Sequence, residues 1–144
     1  MNDDRQAAII KISAVAVAAP RWIAALLASE GFALPTEWMT WWIVFSAICA
    51  LGMSIVEAWA FSYCFRAWRG MTGRSANVMM VMIGMSAVSF VAVMSPYIAS
   101  SVSRTTMASI LSNGWALAGW SVCVAASTIL IVASVGYAQK RPQT

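Results

Sequence analysis

The stretch WMTWWIVFSAICALGMSIVEAWAFSYCF, residues 38–65, holds a single charge, Glu57, in an otherwise apolar run. A helix rises about 1.5 Å per residue and a bilayer core is about 30 Å thick, so roughly 20 apolar residues suffice to cross it. This run crosses once and is too short to cross twice. Its apolar residues follow one another without polar alternation, which excludes the strands of a membrane barrel. It reads as a spanning helix.

The rest of the chain repeats the pattern. No charge falls between Ser75 and Ser103, and none between Thr105 and Gln139. The N-terminal run from Ala7 to Ala28 is weaker, because it holds Lys11, Arg21 and a central Pro20. The expectation is therefore an all-α integral membrane protein. Its four transmembrane helices, at about 7–28, 38–65, 76–99 and 106–138, form one small bundle and one domain spanning residues 1–144. The connections are Ser29–Glu37, the arginine-bearing Arg66–Arg74, and the short polar Ser100–Thr105. Asn113-Gly114 is a turn signal. It opens a variant in which residues 104–112 form a separate interfacial helix and the last crossing starts at Trp115. Ala14–Ala19 resembles a leader-peptidase site, but Asp3 and Asp4 precede it and the apolar core lacks leucine. The segment is read as a retained helix.

Composition agrees. The chain has 144 residues, 61% hydrophobic and 10% charged, with a mean hydropathy of +0.76 and no histidine. A soluble domain carries about 25% charged residues, so a water-soluble globule is excluded. Disorder and a disulfide-stapled scaffold are excluded too, the first by apolar content and the second by a count of three cysteines.

Orientation follows from the bias of basic residues towards the cytoplasm. With the N-terminus inside, the inner side holds Arg5, Lys11, Arg66, Arg69, Arg74, Lys140 and Arg141, and the outer side only Arg104. Trp38, Trp41, Trp42 and Tyr97 fall in the outer aromatic belt, and Phe65, Trp68 and Tyr137 in the inner one. This predicts a plasma, or inner, membrane protein with both termini cytoplasmic. The pI near 9.4 reflects that anchoring. A nucleic-acid partner would need a larger clustered basic surface, and none is expected.

Glu57 is the foremost candidate for chemistry, since an intramembrane acid is costly and faces protein or water. Ser46, Ala50, Ser54, Ala58 and Ser62 recur every four residues and read as a helix-packing seam beside it, with Ile55 facing away. The functional reading of Glu57 is a proton or cation site; the plainer one is a structural pair, or an acid bonded to a serine. Height along the helices matches Glu57 to Lys11 better than to Arg21. Arg21 itself reads either as part of a broken-helix ion or substrate site after Pro20, or as a side chain reaching outward to Glu30 or Glu37. Lys11, Arg21 and Glu57 together make the candidate intramembrane polar site.

Other chemistry is poorly supplied. Met82 and Met85 share a helical face, but copper has no histidine to support it, and packing is the ordinary use of methionine. Cys49, Cys64 and Cys123 form no C-x-x-C pair. No metal, cofactor or catalytic set is expected, and the chain is not expected to be an enzyme. The expected function is a homo-oligomeric pore or transport pathway for ions or small solutes. The partners are then the lipid bilayer and further copies of the chain. Small-residue rows at Ser46–Ser62 and at Gly114, Ala118 and Ala126 supply the contacts. The alternative is a non-catalytic accessory subunit docking other membrane subunits through the same rows.

Overall fold

The computed structural model describes residues 3–31, 35–102, 109–110 and 112–140, without the side chains of 24, 25, 28, 29 and 100–102. Within them run α1 (Asp3–Ser29), a 3-10 turn (Thr36–Trp38), α2 (Met39–Trp68), α3 (Gly73–Val102) and α4 (Gly114–Gln139). Among the described residues, four helices are long and apolar enough to cross a membrane. The expected helices all form, and most extend by a few residues. α1 begins at Asp3, where two acids in the first turn face the positive end of the helix dipole. Gly31, just past the end of α1, takes φ +78, a left-handed conformation that closes helices and favours glycine.

One boundary is corrected. A single helix over 106–138 is not observed, because Asn113 leaves the helical path at φ −109, ψ 110. Its side-chain oxygen accepts from the Trp115 and Ala116 backbone amides at 3.1 and 3.3 Å, capping α4 at its start. Ser109, Ile110 and Ser112 are helical on the other side of this break. The remainder of 104–112, Arg104 included, lies outside the described residues, as does Arg141.

The helices pack in chain order around a ring. α1 meets α4 most extensively, α2 touches both of its neighbours, and α4 also reaches α2 across the ring. α1 and α3 are the diagonal pair, with no close backbone approach between them among the described residues. Ala7, Ile10, Ala14 and Ala18 of α1 are fully buried, three or four residues apart. Alanines at such positions let another backbone come close, the usual device where lipid removes the hydrophobic drive. One end of the bundle carries Asp3, Arg66, Arg69 and Lys140 and is called the basic end below. The other carries Trp38, Trp41 and Trp115 and is called the aromatic end.

Within a single chain the α2 seam is buried over only part of its length. Ser46 and Ala50 are buried and Ser54 is half-buried, but Ala58 and Ser62 are exposed. A four-residue step overshoots the 3.6-residue turn by about 40°, so such a row winds around the helix. The buried stripe alternates steps of four and three instead: Ser46, Ala50, Met53, Glu57, Ala60, Cys64. Those steps average 3.6, the helical repeat itself, and so keep the row on one face. Glu57 belongs to this stripe.

Candidate functional site

Glu57 sits midway down α2, 6% exposed. Ser86 of α3, equally buried, donates its hydroxyl to Glu57 Oε1 at 2.6 Å. The other carboxyl oxygen, Oε2, is buried without a partner. Buried polar atoms are ordinarily satisfied, so an open carboxyl oxygen is a place where a proton or cation can be taken up. Ser86, Cys64 and Ser134 border a cavity of about 10 Å³. That is about the space one water needs. The neighbouring hydroxyls of α4 are turned to their own helix: Ser121, Thr128 and Ser134 donate to the Leu117, Val124 and Leu130 carbonyls. Ser127 is buried with its hydroxyl unpartnered.

Lys11 is placed elsewhere. Its Nζ donates to Gln139 Oε1 at 2.9 Å, and Gln139 Nε2 donates to Asp4 Oδ1 at 2.9 Å. The three side chains clasp α1 to α4 at the basic end. Lys11 also borders an open groove of about 410 Å³ with Ile12, Val15 and Val132. On the same end, the Gln6 amide, with its oxygen turned inward, accepts from Trp59 Nε1 at 2.7 Å and Arg66 Nη2 at 3.0 Å.

Arg21 occupies a third place. It is 3% exposed and reaches across the ring from α1. Its Nη2 donates to the Ser46 carbonyl of α2 at 2.9 Å and to the Tyr97 hydroxyl of α3. Tyr97 in turn donates to the same Ser46 carbonyl at 2.8 Å. The guanidinium lies 4.9 Å from the ring centre of Trp120 of α4 and 5.9 Å from that of Tyr97, both within cation–π range. Trp120 is itself held by its indole N–H, which donates to the Val93 carbonyl at 3.0 Å. One side chain thus ties all four helices together. It does not turn outward to Glu30 or Glu37, which are both exposed.

The three candidates are therefore not one site. Ser46, which Arg21 touches, and Glu57 are eleven residues apart on α2, about 16 Å along the axis. Ser86 as the partner of Glu57, and Tyr97 and Trp120 as partners of Arg21, went unassigned in the sequence. The available signal was that each is a polar or polar-tipped residue inside an apolar run. Met82 is half-buried and Met85 exposed, so they do not converge on a common interior point. The three cysteines are free. No family model matches the chain, and no curated protein or solved structure matches it either.

Proposed function

We propose that the chain is an integral protein of the plasma membrane, with both termini cytoplasmic, and that several copies assemble into a pathway for protons or small ions. The observation that carries this reading is Glu57: a buried acid in the middle of a helix fit to cross a membrane, with one oxygen bonded to a serine and the other open. Intramembrane acids with that exposure to no cation are ordinarily found on proton or ion routes.

Assembly from copies is supported by what the single chain leaves outside. Ala58 and Ser62 on α2 are exposed, and so are Gly119, Ala126 and Ala133, seven residues apart on one face of α4. A methyl group built at Gly119 would meet nothing within 4 Å. Small outward residues on spanning helices suit packing against another helix. The chain is read as non-catalytic, with its chemistry confined to proton or ion passage.

Two measurements test the reading together. The mass of the purified protein in nanodiscs should exceed one 15.5 kDa copy. Reconstituted liposomes should pass protons or small cations faster than empty ones. A single copy per nanodisc, or liposomes no leakier than empty vesicles for any small ion, removes the conduit and leaves the accessory-subunit reading in its place.

A further inference from the structure

Arg21 has more donors than the described residues supply acceptors for. A guanidinium keeps its proton in proteins and offers five N–H groups, all in its plane. Here Nη2 is used, while Nε and Nη1 are buried with no partner. The guanidinium carbon lies 4.9 Å from the Trp120 ring centre, a cation–π contact that adds no hydrogen-bond acceptor of the N/O kind for these donors. Trp42 lies one helical turn before Ser46 on α2, and its indole N–H is buried and unpartnered as well. No described carboxylate bonds this cation: Glu57 bonds Ser86, Asp4 bonds Gln139, and Asp3, Glu30 and Glu37 are exposed. Arg21 is thus a buried positive charge with donors of its own unmet and no described carboxylate bonded to it. Leaving such groups unmet is costly, and an arriving acceptor recovers that cost.

We propose that the Arg21 cluster is a binding site for a small oxyanion of the phosphate class. Guanidinium groups bind phosphate oxygens through directed, charge-assisted hydrogen bonds, and a tryptophan N–H adds a neutral one. The walls are already fixed, because Tyr97 and Trp120 each spend their own donor on a backbone carbonyl. Ser46 lies seven residues into α2, about 10 Å below its start. The proposal goes beyond the conduit reading and stands without it, since binding is an equilibrium measured with no flux.

The test uses the full chain in phosphatidylcholine nanodiscs, titrated with sodium phosphate against sodium chloride at matched ionic strength. Intrinsic tryptophan fluorescence and the thermal midpoint are read together. Phosphate should give a saturable fluorescence change and a rising midpoint, as a ligand of the folded state must. Chloride should give neither. Arg21→Gln should weaken binding by about tenfold or more, the loss of one charge-assisted contact. Trp42→Phe should weaken it less, and keeps the test decisive if Arg21→Gln does not fold. Adding phosphatidylglycerol separates the sources. Competition by that lipid supports the site with a lipid phosphodiester as occupant, and an unchanged phosphate response supports it with the free anion. No saturable response in either lipid, or the same response to chloride, or equal responses in wild type and both variants, overturns the proposal.

Discussion

The Tyr97 hydroxyl is used twice, donating to the Ser46 carbonyl and accepting from Arg21. Tyr97→Phe removes both bonds while keeping the ring. Thermal unfolding in detergent should show a loss of about 1–3 kcal/mol, the usual cost of leaving a buried partner unmet. Glu57 behaves differently, because no described cation bonds it. Glutamine keeps an acceptor for Ser86, so Glu57→Gln should cost less than about 1.5 kcal/mol, the net worth of one ordinary hydrogen bond. Lys11→Met should act separately, through Gln139, and the two effects should add within about 0.5 kcal/mol. A larger coupling in the double variant would mean that Lys11 and Glu57 are a pair after all. That Glu57 is buried could be read from its sequence, since a lone acid in an apolar run must face protein. Its partner could not. Height along a helix follows from counting residues, but the direction in which Lys11 points depends on how α1 is rotated against α4, which no count supplies.

α2 carries the clearest contrast at the scale of an element. Ala60 is buried and Ala58 exposed, two residues apart. Ala60→Leu should destabilise the chain by about 1–3 kcal/mol through overpacking. Ala58→Leu should leave unfolding within about 0.5 kcal/mol of wild type while lowering the copy number in nanodiscs. Equal effects of the two on unfolding would contradict the stripe. α4 offers a second case: Asn113→Ala should cost about 1 kcal/mol by removing the cap on Trp115 and Ala116, again read by thermal unfolding. The existence of all four long helices was plain in the sequence, because continuous apolar runs have few other uses. The facing of α2 was half plain. A row at every fourth residue and a stripe at three and four share Ser46 and Ala50, then diverge by about 40° per step. The break at Asn113 was legible only as a variant, since a side-chain cap competes with an unbroken apolar pattern that carries no mark of where it stops.

The whole molecule is apolar outside as well as in. Ile12, Leu51, Ile55, Val88, Val122 and Ile129 are all exposed on its helices, as a bilayer or further copies would require. Apart from Arg21, its described basic residues gather at one end, and Trp38, Trp41 and Trp115 lie at the other, the pattern from which the proposed orientation is argued. In a cysteine-free background, Thr36→Cys should react with a membrane-impermeant maleimide on intact cells, and Thr72→Cys only after the cells are opened. The reverse pattern would invert the topology. The central claim, however, is that Glu57 handles the moving ion. It is tested most directly by proton entry into liposomes under an imposed membrane potential, with wild type and Glu57→Gln reconstituted at equal density. The account predicts flux above empty vesicles for wild type and a loss of about tenfold or more in the variant, with the thermal midpoint nearly unchanged. Equal flux from the two proteins would contradict it.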